Sequence, residues 1–449
     1  MKSKIKYDKL INVLKNNWPI ILILFISFVL HILAFIELGF KYTLSSDDLS
    51  YVRSGIEFVK TGRITMHGVL SAQIMPGLTF IIAIVSIFCG TGYKLWVGLK
   101  ILYMLMGLGT ILGVYKTLRL YTNKYISAIP CLFFLVPNYI WMDNLILTET
   151  PFIMLFTLLI YHTLKLSIKP NKKDYIMIII YYIFAVFIRP NIGIYPLFLF
   201  IFLLLKKYDF KLLMKQCLIA GIILLLVLTP WTIRNYKVFG KFIPLTYGVG
   251  NPLLLGTYQG YGYPEDKELD YIKNVDEKMN EEMKYYLENP DVKDYMTKYY
   301  SLEYDGMKAK YRMHEWWNND KKSMIKSYVI HKPKILITYP FYWEKILNFD
   351  YDKVYLINKI ELIMTRICAI LILIDRRKIK ELLLLLLTYI SQIALYAYTF
   401  AFDRYGISLL FMRYIIIGFG ISIVYNKFIR RSINESINDN TRIQRRVKH

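Results

Sequence analysis

Cysteine is scarce in this chain: there are four in 449 residues, Cys89, Cys131, Cys217 and Cys368, each inside an apolar stretch and with no Cys-x-x-Cys pair among them. This spacing offers no zinc site and leaves packing as the role of all four. Acidic residues are also few, 33 against 57 Lys and Arg, for a formal net charge of +24. No P-loop, dinucleotide fingerprint, HExxH, GxSxG or EF-hand pattern occurs in a workable context. The six histidines, His31, His67, His162, His314, His331 and His449, are scattered, and only His67 lies in a loop that also carries an acidic pair.

What the chain has in abundance is hydrocarbon. It is 55% hydrophobic with a mean hydropathy of +0.36, and its apolar runs approach bilayer length. That composition identifies an all-α polytopic membrane protein rather than a water-facing domain. The basic excess falls in short runs between apolar spans, at 2–15, 165–173, 206–215, 376–380 and from 427 onward. Such runs read as positive-inside anchors and not as a nucleic-acid surface.

With the basic N-terminus inside, a first span over 18–38 reads as a retained signal anchor, because no small-residue cleavage site follows it. It delivers a first outer loop, 39–93, whose apolar part at 76–89 is too short to cross and is expected to lie in the interface. Further spans are expected at 94–117, 125–141, 151–166, 175–188, 192–205, 212–231, 355–374, 382–402 and 411–428. The total is about ten transmembrane helices with both termini cytoplasmic. Three regions follow: a transmembrane module at 1–234, a large extracytoplasmic segment at 235–354, and C-terminal helices with a basic tail at 355–449. Within the large segment, 281–288 and 307–318 are expected to be short helices, and 335–347, with Tyr339, Tyr342 and Trp343, to lie at the interface.

Charged residues at the outer lips of these spans are the candidates for chemistry. Asp47 and Asp48 follow Ser45-Ser46 and precede Tyr51. They suit a helix N-cap, and equally a general base held ionised by nearby cations. Glu149, in Thr148-Glu149-Thr150-Pro151, suits a first helical turn or a site carboxylate, and Asp143 is a weaker candidate of the same kind. Arg189 before Pro190 and Arg234 after Trp231, a membrane-belt residue, sit where a lipid phosphate would meet a guanidinium fork. Arg404 and Arg413 bracket a short outer loop; Arg413, which begins the last span, is the favoured third phosphate ligand.

The ordered series of an acidic pair with Tyr51, then Met75-Pro76-Gly77, Thr148-Glu149-Thr150-Pro151-Phe152, Ile188-Arg189-Pro190 and Thr229-Pro230-Trp231-Thr232-Ile233-Arg234-Asn235-Tyr236 is similar to a known set. It resembles the GT-C membrane glycosyltransferases, specifically the bacterial branch related to the dolichyl-phosphate-mannose protein mannosyltransferases and the lipid A aminoarabinose transferase. The likeness runs through roughly the first 250 residues, with a weaker echo at His331-Lys332-Pro333; the family often has two prolines where Met75-Pro76 stands. The resemblance implies inverting transfer of a sugar from a polyprenyl-phosphate sugar to an acceptor outside the plasma membrane. Asp47 is then the base with Asp48 beside it, Glu149 the second acidic residue, Arg189, Arg234 and Arg413 the phosphate ligands, and Tyr51 and His67 further substrate contacts. The acceptor, whether protein, polysaccharide or lipid, stays open, as does a divalent ion held by Asp47 and Glu149. A lipid-linked saccharide flippase and a polysaccharide polymerase or ligase are the competing readings. Charge clustered at one lip, rather than at the bilayer midplane, favours the transferase.

Overall fold

The computed structural model describes residues 2–266 and 293–429, with isolated positions 277, 280, 281 and 284 between them. The expected helix at 281–288 and most of the basic C-terminal tail lie outside the described residues.

The described chain is a bundle of helices with one two-stranded hairpin. Six helices are long and apolar enough to cross a membrane by length and composition: Leu14–Leu38, Tyr93–Arg119, Glu149–Ile168, Phe210–Phe239, Ile379–Tyr398 and Asp403–Lys427. In chain order α1 is Lys2–Leu38, α2 Asp47–Thr61, β1 Thr65–Met66, β2 Val69–Leu70, α3 Gly77–Cys89 and α4 Tyr93–Arg119. Helix α3, with 13 residues, is about 20 Å long and falls short of a hydrocarbon core of about 30 Å.

The segment expected to be one span at 125–141 is instead broken. It forms α5, Lys124–Ala128, a 3-10 stretch Ile129–Leu135 and α6, Pro137–Met142. Pro130 and Pro137 remove backbone donors and disfavour helix in the residue before them. Irregular backbone at this depth is tolerated because most of the segment is buried against protein rather than facing lipid.

Next come α7, Glu149–Ile168; α8, Lys172–Ile188; α9, Tyr195–Leu205; and α10, Phe210–Phe239. The segment after α10 holds α11, Gly250–Gly256, against α12, Lys293–Asn319, followed by α13, Lys321–Lys326, a π-helical turn Ser327–His331 and α14, Lys332–Thr338. The bundle closes with α15, Tyr351–Asp375; α16, Ile379–Tyr398; α17, Asp403–Ile407; and α18, Leu410–Val424. Helix α18 is almost wholly enclosed, and Gly418 and Gly420 leave no room for a side chain against Leu118 of α4 and Cys368 of α15. Small residues let helices approach closely where lipid supplies no hydrophobic drive for their association.

Two ends of the bundle differ in charge. At one end Lys206 pairs with Glu381, Lys380 donates to the Leu205 carbonyl, and Lys165 pairs with Asp174. The other end carries the start of α2 and of α7, the α8–α9 junction and α17. There Gly77 packs against the Phe187 carbonyl so closely that a Cβ would collide with it. This contact seats Met75-Pro76-Gly77 beside the turn that carries Arg189.

Candidate functional site: two carboxylates and two arginines at one end of the bundle

The acidic pair divides its labour. Asp48 is 1% exposed, and its carboxylate accepts from the amides of Leu44 (2.7 Å), Ser46 (3.1 Å) and Leu49 (2.9 Å). Those bonds fold the turn that opens α2, in which Ser45 takes a left-handed φ of 55°. Its oxygens face the backbone, and Asp48 does not line the pocket. Asp47, one residue earlier, keeps a side chain that is 35% exposed and faces the pocket.

Above Asp47 sits His67, presented by the β1–β2 hairpin. Met66 pairs with Val69, so the loop is the two residues His67 and Gly68, with φ of 53° and 83°. Positive φ at both positions is the primed turn whose twist suits a tight hairpin. His67 Nε2 lies 3.5 Å from Asp47 Oδ1, and its Nδ1 lies 3.0 Å from Ser50 Oγ.

Glu149, the first residue of α7, is fully buried. Its Oε1 accepts from Arg189 Nη2 at 2.9 Å and from Arg404 Nε at 2.7 Å. Arg404 Nη1 also donates to Asp47 Oδ2 at 3.0 Å. One guanidinium therefore bridges two carboxylates, and one carboxylate bridges two guanidinia. Burial alone would raise the Asp47 carboxyl, but the hydrogen bond with His67 and the Arg404 charge outweigh it and lower its pKa to about 2.

Arg189 is held against three rings, Phe152, Tyr396 and Tyr405, at 5.8, 5.9 and 5.2 Å from their centroids. Among the described residues its Nη1 is buried and finds no acceptor, and Asn191 Oδ1 is likewise unmatched. A buried guanidinium donor without a partner is costly, and an anion would satisfy it. Both residues line a cavity of about 280 Å³ with Asp47, Tyr51, Gln73 and Arg404. Tyr51 is 6% exposed, and burial raises its phenol, so it stays neutral.

Of the residues singled out in the sequence, the structure brings Asp47, Tyr51, Glu149, Arg189 and His67 together. It does not bring Arg234 or Arg413 to the cavity. Arg234 clamps the hairpin from behind, donating to the carbonyls of Ser71 (2.8 Å) and Ile64 (3.3 Å). Trp231, expected in a membrane belt, is 5% exposed and donates to the Leu245 carbonyl. Arg413 is 2% exposed inside the bundle, bonded to Tyr389 Oη, Asn358 Oδ1 and the Ile337 carbonyl. The arginine that reaches the carboxylates is Arg404, at the tip of the same short loop. Asp143 also lies away from the cavity, in a buried contact with His31 Nε2 at 3.1 Å and with Thr150 Oγ1 at 2.6 Å. Tyr396 and Tyr405, stacked at 4.6 Å beside Arg189, carried no sequence signal beyond their place at the end of a span.

The donor set bears on the divalent ion that the sequence left open. Asp47 and Glu149 already share the Arg404 guanidinium, and among the described residues no group of three His, Cys, Asp or Glu side chains is placed to hold a metal. As arranged, the residues present do not fit such an ion.

The helical bundle that carries this site is similar in fold to solved oligosaccharyltransferase structures. The family model for dolichyl-phosphate-mannose-protein mannosyltransferase matches residues 75–233, which contain Glu149 and Arg189. Among solved structures, the oligosaccharyltransferase AglB of Archaeoglobus fulgidus, in complex with an inhibitory peptide and a dolichol-phosphate, superposes with a TM-score of 0.55 at 15% identity. The match covers 94% of this chain and 52% of AglB, so the chain spans about half the length of that relative. A second AglB structure, with Zn and sulfate, gives 0.52 at 14% identity over 92% of this chain and 50% of the other. ArnT of Cupriavidus metallidurans bound to undecaprenyl phosphate matches at 12% identity and a TM-score of 0.43, over 90% of this chain and 77% of ArnT. No curated protein sequence matches the chain.

Proposed function

We propose that this protein transfers a sugar from a polyprenyl-phosphate sugar to an acceptor on the extracytoplasmic side of the plasma membrane, with inversion at the anomeric carbon and Asp47 as the base. The observation that carries this reading is the cavity in which Asp47 faces Arg189 and Arg404, at the end of the helices away from the lysine-rich ends. By the positive-inside bias those lysines mark the cytoplasmic side, with both termini there.

The unmatched Nη1 of Arg189 and the guanidinium of Arg404 receive the donor phosphate. Glu149 fixes both cations, so little reorganisation is needed when charge grows on the leaving oxygen. The acceptor attacks from the opposite face of the sugar and gives its proton to Asp47. A new bond forms at the anomeric carbon, the bond to the phosphate oxygen breaks, and polyprenyl phosphate departs with the electron pair.

In the resting site the pairing with Arg404 keeps Asp47 a weak base. When a donor phosphate draws Arg404 toward itself, Asp47 loses a cationic partner and gains basicity. Binding of the donor thus prepares the base for the acceptor. The test is transfer of labelled sugar by the purified protein in proteoliposomes, with a panel of polyprenyl-phosphate sugars and bacterial envelope acceptors. Product formed from the lipid donor supports the reading. Lipid moved across the bilayer without transfer makes the protein a carrier instead.

A further inference from the structure

A second cavity, of about 210 Å³, opens between α8, α9 and α10, running from Leu203 and Leu213 near the lysine-bearing end to Tyr195 and Pro196 at the start of α9. Its walls are apolar stripes from each helix: Ile178 and Ile183 on α8, Leu199 and Leu203 on α9, Leu213 and Leu224 on α10. From Leu213 to Leu224 the groove runs about 16 Å along α10, which is half of a bilayer core of about 30 Å. Tyr175 bridges it by donating to the Gln216 carbonyl of α10 at 2.9 Å. Helix α10 otherwise stands away from the bundle: very little of its apolar run is buried, and a Cβ at Gly221 would meet nothing within 4 Å.

The mouth of the groove is cationic. Lys172 and Lys173 begin α8, Lys207 follows α9, and Lys211 and Lys215 lie in the first turns of α10, all exposed. The carboxylates near them are engaged elsewhere: Asp174 with His162 and Lys165, Glu381 with Lys206, and Asp209 in capping Leu212. An apolar groove that runs about 16 Å along α10, with exposed lysines at the ends of the helices that form it, matches one class of molecule. We infer that this groove binds an anionic phospholipid of the near leaflet, one acyl chain between α8, α9 and α10 and the phosphate among the lysines.

This occupant differs from the sugar donor. Helix α8 has 17 residues, so Lys172 lies about 25 Å from Arg189, and one headgroup cannot meet both cation clusters. A polyprenyl tail reaching down from Arg189 carries no charge for the lysines. The lipid also has something to act on. The far end of α10 carries Trp231, Arg234 and Asn235, which hold Leu245, the His67 hairpin and Ile243. Lipid packed under the near half of α10 therefore steadies the wall of the sugar-transfer cavity without entering it.

The experiment is native mass spectrometry of the full chain titrated with phosphatidylglycerol and phosphatidylcholine, with thermal unfolding followed in parallel. Phosphatidylglycerol is expected to bind about tenfold more tightly and to raise the unfolding temperature. Gly221→Leu, which fills the groove, abolishes that site, and the surface variant Lys172→Gln/Lys173→Gln/Lys211→Gln removes the preference for the anionic headgroup while the protein stays folded. Equal binding of the two lipids, or a preference that survives the lysine variant, overturns the proposal. So does loss of polyprenyl-phosphate binding in Gly221→Leu with phosphatidylglycerol binding intact, which would give the groove to the donor tail.

Discussion

Arg404 Nη1 donates to Asp47 Oδ2 at 3.0 Å across 357 positions of sequence, and the same guanidinium reaches Glu149 through Nε. This contact joins the turn that opens α2 to the loop between α16 and α18 and decides what each carboxylate does. Asp47 is paired but half open to the cavity, whereas Glu149 is enclosed and acts on the arginines. Arg404→Gln removes one of the two cations that the proposed mechanism assigns to the leaving phosphate. The account predicts a loss of about two to three orders of magnitude in turnover, measured as initial rates at saturating donor. An unchanged rate would remove Arg404 from the mechanism.

The two neighbours of the acidic pair separate in a second experiment. Asp48→Ala takes away an acceptor of three backbone bonds and is expected to cost about 3 kcal/mol of stability. Whatever fraction stays folded should keep its turnover per folded molecule, assessed by gel filtration before assay. A folded but inactive Asp48→Ala would instead place Asp48 in the chemistry.

Protonation supplies a third. The carboxyl of Asp47, at about 2, lies below the ordinary ~3.9 of an aspartate. A depressed carboxylate contributes stability at pH above the ordinary value, and that contribution is lost as pH falls through about 2. His67→Asn keeps a residue that tolerates the left-handed backbone of the hairpin while removing the imidazole. Burial is then opposed chiefly by Arg404, the pKa of Asp47 rises, and the acid limb of kcat/KM moves to higher pH. A limb that stays in place, or moves down, would contradict the assignment of Asp47 as base.

Arg413 gives the contrasting case to Arg189. Arg413→Met leaves Tyr389 Oη, Asn358 Oδ1 and the Ile337 carbonyl without their donor, and the unfolding temperature should fall with KM for the donor unchanged. Arg189→Gln should raise that KM, because its unmatched Nη1 is the group assigned to the phosphate. Equal effects of the two variants on donor KM would break this division.

Which arginine serves which purpose was the hardest thing to read from sequence. Arg189 was legible because Pro190 ends its helix at the lip, and a cation there has to face either water or a ligand. Arg404 and Arg413 lie nine positions apart near the same loop, and only the packing of α15 and α16 shows that Arg413 points into polar partners within the bundle. Asp47 and Asp48 are adjacent, so their roles depend on the left-handed turn at Ser45, which period and composition do not reveal. The apolar runs foretold the helical class, but Pro130 and Pro137 broke the segment at 125–141 that hydropathy alone presents as continuous. Arg234 carried a phosphate-ligand signature by position, yet its partners are carbonyls of a hairpin 163 and 170 residues earlier. Long-range pairing of that kind leaves no local trace.

The most direct measurement is sugar transfer from polyprenyl-phosphate donor by Asp47→Asn in proteoliposomes, with donor binding determined on the same preparation. The account predicts a folded protein that binds donor with near wild-type affinity and transfers no sugar, since the amide cannot take the acceptor proton. Full turnover by Asp47→Asn would contradict it.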